Sequence, residues 1–293
     1  MHTPLPDGSA PDPSPHRAPP TAVAPVDGAT AFLTALAGTA AHAPTACTSW
    51  TAHDLVAHLA AGAAEMASLT EAAVAGLPAR ATAGFAAREA PFTAMDDERL
   101  RARLVTEALR LDAAVGALEE RGGHVSFSGR LLSPADLRMH GRSEAALHRW
   151  DLAGDDDVGD ALLAGPELTA HAVKTLNAML GGSPEDVTQR VLTARLGPGR
   201  LAFAAPGQPD VVLVVDDGGS RLELAEPSPA PVATADPATR LLALWGRRSP
   251  GRHVTWDGDD GEAGALAAFL WAPAGAAHVP GGAPGPTPLS ETR

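Results

Sequence analysis

The sequence contains a single cysteine, Cys47, among its 293 residues. One thiol cannot form an internal disulfide framework, and it cannot supply a zinc motif built from several cysteines. Both classes of domain are therefore excluded.

The chain is also short of positive charge and of long apolar runs. Its formal net charge is -13, which argues against a protein that binds the phosphate backbone of nucleic acids. No stretch approaches the roughly 20 apolar residues of a membrane span. The N-terminal segment MHTPLPDGSAPDPSPHRAPPTAVAP lacks the basic and apolar regions of a signal peptide. These absences predict a soluble, cytoplasmic protein that binds neither nucleic acid nor membrane.

Composition divides the chain into two folded parts between two tails. Hydrophobic residues make up 45% of the sequence, enough for a sizeable core. Residues 1–26 and 275–293 have the composition of disordered tails. Residues 27–181 are expected to form a helical domain, and residues 182–274 a small α+β domain.

Periodicity and end signals predict five helices in the first part. They cover about residues 29–42, 51–76, 96–120, 133–154 and 166–182. Thr51 and Asp54 suit a capping box at the start of the second helix, and Ser133 with Pro134 suits the start of the fourth. The first four helices predict an antiparallel four-helix bundle, which the fifth helix leaves.

After Gly182 the pattern changes to short β-rich segments. RLAFAA, DVVLVVDD and RLELAE are separated by turn residues and predict a strand meander. DPATRLLALWGRR predicts a helix, HVTWDGD a short strand and EAGALAAFLWA a closing helix. The fold class predicted is therefore a helical bundle followed by a small α+β domain. The acidic segments DGDDGE and DLAGDDDVGD are interpreted as a turn and a solvated helix exit.

The segment RSEAALHRWD, residues 142–151, places ionisable groups on the inward stripe of the fourth predicted helix. At about 100° per residue, Glu144, His148 and Asp151 fall within about 60° of one another, and His140 lies beside them among leucines. The three arginines of this helix gather on the far side, which is expected to face solvent or an interface: Arg138, Arg142 and Arg149.

A histidine on the second predicted helix can complete a metal site. If the two helices face each other, His58, Glu144 and His148 can converge. Two imidazoles and one carboxylate are a ligand set typical of catalytic zinc with an open fourth position. Asp151 and His140 would then orient the ligands. The alternatives are a local Glu–His ion pair and a hydrogen-bonded core histidine.

Three segments in this order resemble the mycothiol-dependent maleylpyruvate isomerase family: CTSWTAHDLVAHLAAGAAEM, HGRSEAALHRWDLAGDD and LLALWGRR. The resemblance covers about residues 30–272, with Thr48-Ser49 standing where the family often has Pro-Gly. It implies a DinB-like four-helix metal-binding bundle, followed by a small α+β domain likened to sterol carrier proteins.

The resemblance also implies the chemistry. By it, His58, Glu144 and His148 bind a divalent metal, usually zinc, and mycothiol, the low-molecular-weight thiol of actinobacteria, supplies a thiolate at the open position. A bound metal lowers the pKa of a thiol. In the isomerase, the thiolate adds to the activated double bond of maleylpyruvate, the resulting single bond rotates, and elimination yields fumarylpyruvate and free thiol.

Arg247 and Arg248 follow Gly246, at the end of the helix predicted for DPATRLLALWGRR. An arginine over the metal would bind a dicarboxylate substrate or the carboxylate of mycothiol. Arg247 and Asp151 are therefore predicted as catalytic residues, and Arg247 and Arg248 as cofactor-binding residues. The alternative is charge compensation at a helix C-terminus.

Cys47 is expected to be a packed residue. It lies about eleven residues before His58, some three helical turns away along the second helix. The reactive thiol is therefore expected to come from outside the chain.

These observations predict a zinc- and mycothiol-dependent isomerase or S-transferase, monomeric or homodimeric, that acts on a small electrophilic substrate bearing a carboxylate. One alternative is a metal-assisted hydrolase or lyase in which zinc-bound water reacts, with Glu65 or Asp151 as base. The other is a non-catalytic protein that responds to metal or thiol, which a fourth protein ligand would favour.

Overall fold

The N-terminal part of the chain is mainly helical, and polar residues cap the starts of several of its helices. The computed structural model describes residues 27–180, 198–217 and 219–271. The predicted tails and the predicted domain boundary at residues 181 and 182 lie outside the described residues. Nine helices and seven strands are described, and their bounds are given below in chain order.

The helices of the N-terminal part are α1 (Gly28–Ala37), α2 (Ala52–Val74), α3 (Phe85–Thr93), α4 (Asp97–Arg121), α5 (Pro134–Ala153), α6 (Asp157–Leu163) and α7 (Pro166–Leu180), with a hairpin of β1 (Val125–Phe127) and β2 (Arg130–Leu132) before α5. The capping boxes are present, because Thr51 exchanges hydrogen bonds with Asp54 and Ser133 with Asp136. Each satisfies backbone N–H groups that a helix start leaves unpaired. The starts of α2 and α5 are therefore those predicted.

Three local expectations are corrected. The first predicted helix ends at Ala37, with Gly38 at its C-cap, rather than near residue 42. The acidic segment after α5 is not a plain solvated exit, since it caps and forms the short helix α6. Periodicity also missed α3 and the β1–β2 hairpin, because each is too short for a repeating apolar pattern.

The second part contains β3 (Gly199–Ala204), β4 (Asp210–Asp216), β5 (Gly219–Ala225), β6 (Ala233–Thr234), α8 (Pro237–Leu244), β7 (Thr255–Trp256) and α9 (Asp260–Trp271). The sheet order is β5-β4-β3-β6-β7. The predicted meander is present as the antiparallel pairs β3–β4 and β4–β5, and β6 joins β3 in parallel. The predicted fold class, a helical N-terminal domain followed by a small α+β unit, is confirmed.

Apolar side chains form separate clusters. One lies between α1, α2, α3 and α4 around Leu55, and one joins α2, α4, the hairpin and α5 around Leu132. The largest runs from α5 through α7 into the sheet and includes Trp150, Leu168 and Phe203. Burial of apolar surface, at about 25 cal/mol per Å², therefore ties α5 both to the bundle and to the second part. Within the described residues, no helix has the length and apolar character that crossing a membrane requires.

Candidate metal centre

The ionisable stripe of α5 faces α2, which is the condition for the predicted metal site. Glu144 and His148 of α5 and His58 of α2 each offer one donor atom, and these atoms all lie within 4.8 Å of one another. The Oε2 atom of Glu144 is 3.3 Å from Nε2 of His148 and 3.7 Å from Nε2 of His58. Both imidazoles therefore turn the same nitrogen toward the same carboxylate.

A second carboxylate holds the opposite nitrogen of each ring. Nδ1 of His58 lies 2.8 Å from Oε1 of Glu89, on α3. Nδ1 of His148 lies 2.8 Å from Oδ2 of Asp151, one turn later on α5. A carboxylate on Nδ1 fixes the ring orientation and makes Nε2 the more basic ligand atom, which is the usual support of a histidine that binds metal.

The charges in the cluster suit a cation. Burial disfavours ionisation of Glu144, yet hydrogen bonds from His148 and His58 outweigh it and hold the pKa of this carboxyl well below its ordinary 4.5. Burial likewise disfavours protonation of His148, but its contacts with Asp151, Cys47 and Glu144 raise the pKa well above 6.5. A metal ion bound at this position would take the place of the proton on His148, because a histidine ligand must be deprotonated.

Access to the cluster is partial. The side chains of His58 and His148 are 11% and 6% exposed, whereas that of Glu144 is 21% exposed. A Cβ placed on Gly62, one turn after His58, would meet no atom within 4 Å, so space remains beside α2. The donor set is thus largely buried, and the carboxylate of Glu144 is its most exposed member.

Aromatic rings pack against the two histidines of the cluster. The ring of Trp50 lies 5.0 Å from that of His58 and 6.5 Å from that of His148, between centroids. On α3, Phe85 stacks on His58 at 5.9 Å. These rings lower the local dielectric, which strengthens electrostatic interactions inside the site.

Arg247 reaches this site from the second part of the chain. Its Nε and Nη2 donate to the two oxygens of Asp151 at 2.8 and 2.6 Å, in a bidentate pair. Burial disfavours the charged form of Asp151, but the charge of Arg247 and its hydrogen bonds dominate and lower the pKa of this carboxyl. The predicted residues Arg247 and Asp151 therefore meet, and through Asp151 the arginine supports His148.

Cys47 corrects the sequence argument that placed it three helical turns from the site. Residues 43–52 fold back along α5, where the N–H of Ala46 donates to the carbonyl of Asp151 at 2.9 Å. The thiol of Cys47 donates to Oδ2 of Asp151 at 3.1 Å, and Nη2 of Arg247 lies 3.7 Å from its sulfur. Counting turns along α2 failed because Cys47 precedes the helix and does not continue its axis.

Cys47, His148 and Asp151 form a second group with metal-ligand geometry. Both oxygens of Asp151 already accept hydrogen bonds from Arg247. A dication there would lie against a buried guanidinium, and like charges repel strongly in a low dielectric. Among the described residues, no arginine or lysine is in hydrogen-bond contact with the group of His58, Glu144 and His148, so this group is the better cation site.

Other predicted residues lie elsewhere. Arg248 stacks over the ring of Trp271 at 4.1 Å. Glu65 forms a bidentate pair with Arg80 and accepts from the N–H of Ala83, so it anchors the segment before α3. His140 does not orient a ligand through a hydrogen bond, since its Nδ1 lies 3.4 Å from Nε2 of His171.

The arginine stripe of α5 is confirmed in part. Arg138 and Arg142 pair with Glu119 and Glu167 at the surface. Arg149 is an exception, because it is buried and pairs with Asp156 at 2.6 Å. The reason is α6, which the sequence did not predict and which covers this side of α5.

Sequence reasoning also missed α3, which carries Phe85, Arg88 and Glu89. Its weak signal was an acid next to an arginine between two phenylalanines, in the stretch GFAAREAPF. Such a stretch points to no site until it is known to pack against α2.

Comparisons with known proteins identify a family model and two structures of similar fold. Residues 24–153 match the family model described as mycothiol maleylpyruvate isomerase N-terminal domain. Two similar solved structures are crystal structures of the mycothiol-dependent maleylpyruvate isomerase, one of them a histidine-to-alanine variant. They share 18% and 19% identity, with a TM-score of 0.51, over 78% of this chain and 88% of theirs. That likeness shows the fold. No curated protein matches the chain.

Proposed function

We propose that this chain is a zinc- and mycothiol-dependent enzyme, because residues 24–153 match the family model of the mycothiol maleylpyruvate isomerase N-terminal domain. Its reaction is isomerisation of, or thiol transfer to, a small electrophile that carries a carboxylate. The observation that carries the proposal is the convergence of two Nε2 atoms and one carboxylate within 4.8 Å.

His58, Glu144 and His148 are the proposed ligands. Nitrogen and oxygen donors in this ratio suit zinc, and three protein ligands leave a position for an exogenous group. When bound, zinc would lower the pKa of a thiol so that thiolate is present near neutral pH. Among the described residues, no fourth donor joins this group, which supports an open, catalytic site over a closed structural one.

The remaining residues position and enclose the ligands. Glu89 and Asp151 hold Nδ1 of the two histidines, and Arg247 keeps Asp151 ionised. Trp50 and Phe85 shield the rings from water. Arg247 is thus a positioning residue, since its contact with the ligands runs through Asp151.

Both bases named for the hydrolytic alternative are already paired with arginines. Glu65 is bound by Arg80 and Asp151 by Arg247 in bidentate pairs. A carboxylate held in this way has its lone pairs occupied and is a poor proton acceptor.

The test is metal analysis combined with an assay. The full chain should hold about one zinc ion, and His58→Ala and His148→Ala should each lose it while the circular dichroism of the helices stays nearly unchanged. Maleylpyruvate and simple electrophiles are then offered to the zinc-loaded protein with and without mycothiol. We expect turnover only with mycothiol, both in the wild type and in Cys47→Ser.

Two results would contradict the proposal. Stoichiometric zinc in both histidine variants would remove the ligand assignment. Turnover without added thiol that disappears in Cys47→Ser would make the chain's own cysteine the nucleophile.

A further inference from the structure

The metal group of His58, Glu144 and His148 is covered at the end nearest the start of α2. Trp50, which precedes the N-cap of α2, packs against the rings of both histidines. At the same end, one turn after His148 on α5, Asp151 holds the ring of this histidine and accepts a hydrogen bond from the thiol of Cys47. These contacts leave the opposite end, further along α2, as the direction from which an exogenous ligand can approach.

The helices α2 and α5 run in opposite directions past this group. The first half of α2 shares an apolar cluster with Leu152, near the end of α5, whereas Met66 in its second half shares one with Leu137, near the start of α5. Gly62 lies on α2 between the metal group and Met66, and Gly141 lies on α5 between the group and Leu137. The two glycines are therefore at the same level of the bundle, one turn from the proposed ligands.

No side chain fills the space between the helices at these two positions. At about 100° per residue, Gly62 lies about 40° from His58 around α2, and Gly141 about 20° from His148 around α5, so both belong to the stripes that carry the ligands. Among the described residues, a Cβ added at either glycine would have no neighbour within 4 Å. Gly62 is half-buried and Gly141 is exposed. A gap that is open to solvent therefore adjoins the metal group.

Close packing does not explain either glycine. Glycine inside a helix is less favourable than alanine, and the approach of another segment is a common reason for it. Gly116 of α4 is unobstructed in the same way, but α4 supplies none of the three donors of the metal group. What distinguishes Gly62 and Gly141 is therefore their position, one on each of the two helices that carry the ligands.

We propose that the exogenous ligand reaches the metal group through this gap, and that Gly62 and Gly141 set the size of the molecule that the site accepts. This inference rests on the proposed function and concerns its thiol, whose body would lie between α2 and α5 while its sulfur meets the donors. A side chain at either position would narrow the gap without touching a donor atom. It would therefore reject a large thiol more strongly than a small one.

The test follows thiol binding in the full chain loaded with cobalt(II) in place of zinc, because a thiolate bound to cobalt gives a charge-transfer absorption band. The small thiol is 2-mercaptoethanol and the large one is mycothiol. Each is titrated into the wild type, Gly62→Leu, Gly141→Leu and the graded variant Gly62→Ala. Gly116→Leu is the matched control, because it adds the same side chain at an unobstructed glycine of α4.

Both thiols should bind to the wild type. Each leucine variant should weaken mycothiol binding by about tenfold or more and 2-mercaptoethanol binding by less than about threefold. Gly62→Ala should fall between wild type and Gly62→Leu, and Gly116→Leu should equal the wild type. Cobalt content and helical circular dichroism should be unchanged throughout, since leucine favours a helix more than glycine does.

Three results would each overturn the inference. They are unchanged mycothiol affinity in both leucine variants, equal weakening for the two thiols, and loss of cobalt in the leucine variants. The two proposals also fail separately. Size-dependent thiol binding in a chain that never turns over with mycothiol would keep the gap and refute the enzyme. Mycothiol-dependent turnover with unchanged mycothiol affinity in the leucine variants would do the reverse.

Discussion

At the scale of single residues, the two proposed histidine ligands are held in the same manner from opposite sides. Glu89 fixes Nδ1 of His58, and Asp151 fixes Nδ1 of His148, both at 2.8 Å. The two supports differ in surroundings, since Asp151 is buried against Arg247 and Glu89 is 21% exposed. The orientation of His58 therefore depends on one side chain from a short helix.

Glu89→Gln should weaken zinc binding about tenfold to a hundredfold, because an amide supports a metal-bound imidazole less well than a carboxylate. The dissociation constant is measured by competition with a chelator, in the full chain. Glu98→Gln, at an exposed acid of α4, is the matched control and should bind zinc as the wild type does. Equal constants for Glu89→Gln and wild type would show that Glu89 has no role in holding the ligand.

The buried His171 gives the folded state a pH dependence of its own. Burial lowers the pKa of His171 from 6.5 to about 4. The positive charges of His140 and Arg130 add to this effect, whereas the negative charges of Glu144 and Asp136 oppose it. The unfolded chain takes up this proton near pH 6.5, whereas the folded chain does not do so until about pH 4. The free energy of unfolding should therefore fall as the pH decreases through that window.

His171→Gln removes this titration and keeps a hydrogen-bonding side chain. Between pH 7.5 and 5, its free energy of unfolding should fall by roughly 1–2 kcal/mol less than that of the wild type. Urea unfolding of the metal-free protein at both pH values gives the comparison. An identical decrease in the free energy of unfolding of the two proteins would show that a group other than His171 takes up the proton.

At the scale of elements, the turn before α2 carries backbone strain next to the site. Residues 47–50 form a turn closed by the N–H of Trp50 and the carbonyl of Cys47 at 3.0 Å. Ser49 has a φ of 72°, a left-handed conformation that favours glycine. The turn is what lays Cys47 against Asp151 and Trp50 against His58.

Ser49→Gly should stabilise the protein by about 0.5–1 kcal/mol. Relief of the left-handed cost exceeds the extra entropy that glycine brings to the unfolded chain. Urea unfolding measures the change, with Thr48→Gly, at an exposed residue without a positive φ, expected to destabilise instead. A loss of stability in Ser49→Gly would mean that the hydroxyl of Ser49 matters more than its backbone angle.

At the scale of the whole molecule, the two predicted domains share a core. Trp150 of α5 and Leu168 of α7 belong to the same apolar cluster as Phe203, Leu213 and the residues of α8 and α9. The Asp151–Arg247 pair crosses the same junction. A helix that contributes two proposed ligands is therefore stabilised by a sheet that begins some fifty residues after it.

The full chain should consequently unfold in one thermal transition. Leu213→Ala in β4 should therefore also lower the melting temperature of the helices. Leu213 is 1% exposed, so its truncation should cost about 2–5 kcal/mol. Circular dichroism at the helix band and calorimetry provide the two measurements. Leu109→Ala, at a residue 67% exposed, is the control. Two separate calorimetric peaks, with only one shifted in Leu213→Ala, would show independent domains.

The sequence by itself determined the elements with strong local signals. The capping residues Thr51 and Ser133 mark the starts of α2 and α5 because a helix start must satisfy its own N–H groups from nearby side chains. The short β-rich segments RLAFAA and DVVLVVDD, set between turn residues, likewise predict strands of a meander. The shared stripe of Glu144 and His148 follows from helical spacing alone, whereas the helix that this stripe faces does not.

Only the tertiary structure decided which residues complete the site. Glu89 and Phe85 contact His58 from α3, a helix too short to leave a periodic pattern, and Cys47 reaches Asp151 through a turn with a positive φ. Arg247 is about one hundred residues from its partner, so no spacing rule relates them. Local signals arise from hydrogen bonds within a few residues, whereas these contacts are set by how the elements pack, which the whole chain determines at once.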